Sequence, residues 1–149
     1  MKVCLGGTFN LLHKGHKYLI DKAYEIAGEK GSVYIGISDG ELLYKKKFVT
    51  PYEERVKAIQ EYISSKGYND VVIKKIYDRF GLAVSGDFDA IIVSPESISN
   101  SQDINKNRIS IGKKPLKIIE IPYILADDKK PISSTRIYDK IIDKDGNVL

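Results

Sequence analysis

The sequence contains one cysteine, no tryptophan and four phenylalanines in 149 residues. A single cysteine, Cys4, excludes an internal disulfide and any metal cluster built on several thiolates. It lies between Val3 and Leu5, and we expect a buried, unreactive thiol there. No apolar run approaches the roughly 18 residues that span a bilayer, and glycines interrupt the N-terminal apolar run before it reaches signal-peptide length. We therefore expect a cytoplasmic protein with no membrane partner.

Neither sign of charge dominates the chain. Lys and Arg total 24 against 20 Asp and Glu, a net charge of +4, and the basic residues are spread along the sequence with carboxylates between them. This distribution only mildly favours small anionic ligands, and it argues against a nucleic-acid-binding protein. The length and composition are those of one ordinary soluble domain, which we place at residues 1–149.

Strand-like and helix-like segments alternate along the chain. Short runs rich in β-branched residues predict strands at residues 3–6, 32–38, 71–76, 90–93 and 116–121. Helical spacing predicts a first helix that begins near His16 and ends at Gly28. A capping box, Thr50-Pro51-Tyr52-Glu53, predicts a second helix that ends at Gly67. Ser133 and Ser134 can cap a last helix, whose inward face we expect to be Ile137, Ile141 and Tyr138.

This alternation favours a Rossmann-like, doubly wound α/β domain with a parallel sheet. Ligands bind such sheets beyond the carboxyl ends of the strands. We therefore expect the loops at residues 6–15, 38–50 and 94–107 to line one cleft.

The first candidate site is the turn between the first strand and the first helix, Gly7-Thr8-Phe9-Asn10-Leu11-Leu12-His13-Lys14-Gly15-His16. Glycines let a backbone approach a phosphate closely, and a helix start supplies unpaired N–H groups and the positive end of a dipole. His13 and His16 are the only histidines, and their spacing places two imidazoles beside that anion site as hydrogen-bond donors. Two alternatives are a structural histidine pair and a zinc site, although a zinc site lacks a nearby third ligand.

The segment His13-Lys14-Gly15-His16 resembles the H-x-G-H signature of a nucleotidyltransferase superfamily. A second signature of that superfamily, I-S-S-T-[RK]-I, is similar to Ile132-Ser133-Ser134-Thr135-Arg136-Ile137. The superfamily includes phosphopantetheine, nicotinamide-mononucleotide and flavin adenylyltransferases and several cytidylyltransferases. The resemblance implies that the hydroxyl and N–H groups of this segment, with Arg136, bind the β and γ phosphates of ATP. Taken alone, a Ser-Ser-Thr helix cap is usually structural.

A run of lysines, Lys45-Lys46-Lys47, precedes Glu53-Glu54-Arg55 at the second helix. Taken alone, such a run is usually a solvated surface. The superfamily places a lysine for the acceptor phosphate just before its E-x-R helix start. The resemblance therefore implies this role for Lys46, with Lys47 as the alternative.

Resemblance to archaeal and eukaryotic-type phosphopantetheine adenylyltransferases extends over nearly the whole chain. The segment Val93-Ser94-Pro95-Glu96-Ser97 and the following Asn105 and Arg108 are similar to that family's V-S-x-E-T and I-N-x-x-R. The resemblance implies that Ser94 and Glu96 contact the nucleotide and that Asn105 and Arg108 face phosphates. Without it, Glu96 could be a solvent-facing carboxylate and Arg108 a surface helix residue.

Three positions depart from that family's pattern. Asn10 replaces the usual Asp, Ser97 replaces Thr, and Tyr138 replaces a second Arg. The cytidylyltransferase ending R-T-E-G-I-S-T is absent, which counts against CTP as the substrate.

The resemblance implies in-line attack by the 4′-phosphate of phosphopantetheine on the α-phosphorus of ATP, giving dephospho-coenzyme A and pyrophosphate. The attacking phosphomonoester has a pKa of about 6 and requires no general base. Mg²⁺ is expected to accompany ATP, with few or no protein ligands.

The implied catalytic residues are Thr8, Lys46 and His16. The implied nucleotide-binding residues are Gly7, Thr8, Phe9, His13, Gly15, His16, Ser94, Glu96, Ser133, Ser134, Thr135 and Arg136, and the implied acceptor-phosphate residues are Thr8, Lys46 and Arg108.

Three alternatives stay open at this point. The protein could be another transferase of the superfamily, acting on flavin mononucleotide or making a cytidylyl transfer to glycerol phosphate. It could also be a nucleotide-binding module without turnover. A monomer and a small homo-oligomer are both compatible with the sequence.

Overall fold

The five strand-like segments pair in one parallel sheet. The computed structural model describes residues 1–149, with strands β1 (Lys2–Gly7), β2 (Ser32–Ser38), β3 (Val71–Ile76), β4 (Ala90–Val93) and β5 (Lys117–Glu120). Their order across the sheet is β3-β2-β1-β4-β5, and the register pairs Leu5 with Ile35 and Cys4 with Ile91. Because the order reverses at β1, the sheet is doubly wound, and the predicted Rossmann-like architecture is confirmed.

Four α-helices accompany the sheet: α1 (Lys14–Ala27), α2 (Tyr52–Lys66), α3 (Ile98–Ser110) and α4 (Ser134–Tyr138). Short 3-10 turns lie at Gly40–Leu43 and Pro95–Ser97. None of the helices is long and apolar enough to cross a membrane. The prediction of a loop over residues 94–107 is wrong beyond the 3-10 turn, because α3 begins at Ile98. Its buried face includes the polar residues Ser101 and Arg108, and this hides the helical periodicity.

The start of α2 also differs from the prediction. Its N-cap position is Pro51, with no side-chain cap, so the capping box of Thr50 does not form. The Thr50 hydroxyl instead donates to Oδ1 of Asn10 at 3.2 Å, a partner 40 residues away that local sequence rules cannot foresee. The predicted end of α2 is confirmed, since Gly67 takes a left-handed conformation with φ of 69°.

The last helix is shorter than its apolar pattern suggested. Ser133 caps α4 by accepting a hydrogen bond from the Arg136 N–H at 3.2 Å. Ile137 packs inward with Ala126, Ile132 and Ile142. The prediction that Tyr138 and Ile141 face inward is wrong, since they are 44% and 45% exposed. The helix ends at Tyr138, so Ile142 completes this small cluster in place of Ile141.

The core lies on both faces of the sheet. One face contains alternate residues of β1 and β2, among them Val3, Leu5 and Ile35, in one cluster with residues of α1 and α2. The other face packs Cys4 in a cluster with Ile104 of α3. The predicted burial of Cys4 is confirmed, and burial raises the pKa of its thiol to about 12, which disfavours the reactive thiolate.

Candidate active site

A cleft of about 1120 Å³ lies at the carboxyl ends of the strands. Parts of all three predicted segments line it, together with residues of the last helix and the chain before it. The sequence-predicted residues on its wall are Gly7, Thr8, Phe9, His13, Gly15, His16, Lys46, Ser94, Glu96, Ser133, Ser134 and Thr135. Arg108 and Arg136 are not on its wall.

The two histidines form the N-terminal cap of α1. Nδ1 of His13 accepts hydrogen bonds from the N–H groups of Gly15 at 3.0 Å and His16 at 3.4 Å. In return, the His13 N–H donates to Nδ1 of His16 at 3.2 Å. The two rings stack with centroids 3.6 Å apart. A Cβ added at Gly15 would lie 2.9 Å from Cε1 of His13, so this arrangement requires glycine between the histidines.

This cap determines the chemical state of both imidazoles. Burial lowers the pKa of His13 to about 4. Burial, and then the charge of His13, hold the pKa of His16 well below its ordinary value. Both rings are therefore neutral near neutral pH, and since each Nδ1 is an acceptor, the proton lies on Nε2. Each ring thus has one N–H free to donate to a phosphate oxygen.

Asn10 joins the histidine turn to the chain before α2. It is buried, and its Nδ2 donates to the Phe48 carbonyl at 2.6 Å while its Oδ1 accepts from the Thr50 N–H at 3.0 Å. An ionised Asp at this position could accept from Thr50 but could not donate to a carbonyl. Asn10, at a position where the family usually has Asp, therefore fits its surroundings, because it can both donate to Phe48 and accept from Thr50.

Arg55 holds three segments of the cleft together, and sequence reasoning did not assign it this role. It is 2% exposed. Its Nε donates to the Thr50 carbonyl at 2.9 Å, and one terminal nitrogen donates to the carbonyls of Ser38 at 2.7 Å and Thr8 at 3.0 Å. The only signal in the sequence is the E-x-R pattern of Glu53-Glu54-Arg55, which indicates the helix start but not this role.

The lysines of the run differ in whether their ammonium groups are paired. Lys45, Lys46 and Lys47 all line the cleft. The Nζ atom of Lys47 pairs with Oδ1 of Asp139 at 2.8 Å, whereas Lys46 makes no ion pair. The ammonium group of Lys46 is therefore available to an anionic ligand, which favours Lys46 over Lys47 for that role.

The Ser-Ser-Thr segment reaches the cleft without its arginine. Ser133, Ser134 and Thr135 lie on the wall, and the Ser134 hydroxyl donates to the Asn10 carbonyl. The guanidinium of Arg136 pairs with Asp128 and donates to the carbonyls of Pro131 at 2.9 Å and Lys130 at 3.3 Å. The expectation that Arg136 lines the nucleotide site is thus not met in this structure, because these partners hold its side chain outside the cleft.

Arg108 and Asn105 likewise have structural partners. Arg108 is 4% exposed, and its guanidinium donates to four backbone carbonyls, those of Ala83, Val84, Gly86 and Lys114. The Asn105 amide makes two hydrogen bonds with the backbone of Leu116. The expectation that these residues face phosphates is wrong for this structure, because both join α3 to neighbouring loops.

The remaining predicted residues differ in what they offer a ligand. Phe9 is 2% exposed, with its ring centroid 5.4 Å from that of His16, so it supports the imidazole. Glu96 is exposed and is the only carboxylate on the cleft wall. The cleft therefore carries hydroxyl, N–H and ammonium donors with little negative charge, a surface suited to a phosphorylated ligand.

Comparison with known proteins agrees with this geometry. Residues 4–140 match the model of the family described as cytidylyltransferase-like. A phosphopantetheine adenylyltransferase of Methanosarcina mazei is 44% identical over 99% of this chain and 96% of its own length. One from Archaeoglobus fulgidus is 36% identical over the full length of both. A crystal structure of an A. fulgidus protein of unknown function superposes with a TM-score of 0.74 and 34% identity, covering 81% of this chain and 89% of that one.

Proposed function

The chain belongs to the phosphopantetheine adenylyltransferases of the cytidylyltransferase-like family, and we infer that it is an enzyme of coenzyme A biosynthesis. It transfers the adenylyl group of ATP to 4′-phosphopantetheine, giving dephospho-coenzyme A and pyrophosphate. The observation that supports the residue roles best is the histidine cap, which presents two Nε2–H donors in the cleft that Lys46 and Ser133 also line.

We assign the residue roles from the chemistry of the transfer. Thr8 and Lys46 hold the attacking phosphate. His16 donates from Nε2 to a non-bridging oxygen of the α-phosphate as charge develops there, and His13 with residues 133–135 holds the departing pyrophosphate. The nucleophile is already a dianion, so positioning and charge stabilisation account for the rate enhancement. Neutral histidines suit this task, because each Nε2–H group can donate a hydrogen bond to a phosphate oxygen and the reaction requires no proton transfer.

A magnesium ion fits the site only as a partner of the nucleotide. No three His, Cys, Asp or Glu side chains converge to hold a metal, and Glu96 is the single carboxylate on the wall. We propose that Mg²⁺ is held by ATP phosphate oxygens, where it neutralises part of their charge. The residues of this chain would bind the remaining phosphate oxygens.

Two further assignments complete the proposal. We place the enzyme in the cytoplasm, consistent with a lone, buried cysteine. We also propose ATP as the nucleotide donor in preference to CTP, since the cytidylyltransferase ending is absent from the sequence.

Pyrophosphate release tests the proposed reaction. The purified protein is incubated with Mg²⁺, with ATP or CTP, and with phosphopantetheine, flavin mononucleotide or glycerol phosphate as acceptor. We expect release with ATP and phosphopantetheine, and a kcat/KM at least about tenfold lower with CTP. Faster turnover with flavin mononucleotide, or with CTP and glycerol phosphate, would identify a different transferase of the family. No release with any pair would favour a nucleotide-binding module.

A further inference from the structure

Two segments that line the cleft are in direct contact. The acceptor segment, residues 45–48, contains Lys46, and the nucleotide segment, residues 133–139, contains the Ser-Ser-Thr hydroxyls. The Phe48 ring stacks on the Tyr138 ring, with centroids 4.7 Å apart and 11° between the planes. Both side chains lie outside the apolar clusters of the domain, and they are 41% and 44% exposed. The stack therefore joins the two segments through exposed side chains rather than through the core.

Polar contacts accompany the stack. Nζ of Lys47 lies 2.8 Å from Oδ1 of Asp139, and 6.0 Å from the centroid of the Tyr138 ring. An exposed ion pair alone contributes little to stability. Here it is adjacent in sequence to both stacked rings, so the ion pair and the stack constrain the same two segments.

Asn10 provides a second connection between these segments. Its side chain donates to the Phe48 carbonyl, and its own carbonyl accepts from the Ser134 hydroxyl. The nucleotide segment is thus linked to Phe48 near both of its own ends: at Ser134 through Asn10, and at Tyr138 through the stack. A ligand that orders one segment must also restrict the other.

We propose that Tyr138 is a positioning residue for the acceptor, and that its contact with Phe48 makes the two substrates bind synergistically. This inference rests on the proposed function, because it takes Lys46 to hold the acceptor phosphate and residues 133–135 to hold ATP phosphates. Nucleotide binding orders the nucleotide segment, and the stack and ion pair carry that order to Lys46. Coupling between two ligands is reciprocal, so phosphopantetheine must tighten nucleotide binding by the same factor.

Calorimetry on the full chain measures this coupling directly. The Kd of phosphopantetheine is determined with and without a saturating, non-reactive ATP analogue in which a methylene group bridges the α and β phosphorus atoms. For the unmodified protein we expect the analogue to tighten acceptor binding about fivefold, the lower end of typical coupling between sites. The reverse titration should give the same factor.

Three variants separate coupling from simple loss of structure. Tyr138→Ala should reduce the coupling factor to below about twofold while changing the acceptor Kd without analogue by less than about twofold. Tyr138→Phe keeps the stack and should keep the factor. Tyr18→Ala removes a tyrosine of similar exposure, 41%, that is not on the cleft wall, and it should leave the factor unchanged. If Tyr138→Ala unfolds, Asp139→Asn, which weakens only the ion pair, should lower the factor partially.

The outcomes distinguish this inference from the proposed function. If both substrates bind and turn over but the unmodified protein shows no coupling, or Tyr138→Ala retains it, the positioning role of Tyr138 is wrong and the enzyme assignment stands. If phosphopantetheine neither binds nor turns over in any state, the enzyme assignment and this inference are both wrong.

Discussion

The imidazole of His13 stacks on that of His16 at 3.6 Å, with 20° between the ring planes, and backbone N–H groups occupy the Nδ1 atoms of both. Two positively charged rings would repel each other at this distance. Protonating either Nδ1 would also remove the acceptor of a hydrogen bond that caps α1. The geometry therefore keeps both histidines neutral and directs both Nε2–H groups away from the cap.

The first prediction concerns the titration of these histidines. The folded-state pKa of His13 is about 4, below its ordinary value of 6.5. Because the pKa is lower in the folded state, the unfolded chain binds the proton at a higher pH than the folded protein does. The stability that neutral His13 contributes is therefore complete above pH 6.5 and is lost as the pH falls towards 4. We expect the Cε1–H NMR resonances to stay constant from about pH 8 to 6 and the melting temperature to fall below that range. A resonance in the folded protein that titrates near 6.5 would contradict the neutral pair.

His16→Ala should affect turnover more than binding. Removing one pre-organised donor to a developing charge typically lowers kcat by about 10²- to 10³-fold, whereas ATP affinity in the ground state should change only several-fold. Both constants are measured for each substrate, with a melting curve because His16 also accepts from the His13 N–H. His16→Gln, which retains a side-chain donor, should recover part of the loss. A folded His16→Ala protein with near-normal kcat would mean that His16 does not stabilise the transition state.

The strands and the histidine turn could be predicted because their signals are local. The bounds of β2, β3 and β4 agree with the prediction because runs rich in β-branched residues indicate them. The two histidines lie beside the start of α1 as predicted, but α1 begins at Lys14 rather than near His16, and the cap that His13 forms was not predicted. The roles of Arg55 and Arg108 could not be predicted in this way. Their partners are backbone carbonyls up to 47 residues distant, and such carbonyls carry no sequence signature. The stack of Phe48 on Tyr138 also joins residues far apart in the chain, so no local pattern indicates it.

Arg108→Ala should test the corrected role of that arginine. Its loss leaves several buried carbonyls without donors, and we expect a decrease of about 3 kcal/mol or more in the free energy of unfolding. The acceptor KM of the remaining folded protein should be unchanged. Arg79→Ala is the matched control, because Arg79 has an exposed side chain that pairs with Asp103, and its loss should cost less than about 1 kcal/mol. A stable Arg108→Ala protein with a raised acceptor KM would restore the phosphate-binding role.

The adjacent lysines provide the sharpest comparison, since Lys46 and Lys47 both line the cleft and only Lys47 is paired. In the proposed mechanism, the free ammonium group of Lys46 meets the acceptor phosphate before and during the transfer. Lys46→Ala should therefore raise the acceptor KM by about tenfold or more and also lower kcat, while the KM for ATP changes little. Lys47→Ala removes an ammonium group that Asp139 already neutralises, so we expect a change in acceptor KM below about threefold.

Lys46→Arg refines this test. A guanidinium keeps the charge but replaces a compact point charge with a planar fork, so partial recovery of the acceptor KM is expected. Initial rates with each substrate varied at saturation of the other separate the constants, and melting curves confirm that each variant is folded. If Lys47→Ala has the larger effect on acceptor KM and kcat, the two assignments must be exchanged, and the Asp139 pair would then be a contact that substrate binding breaks.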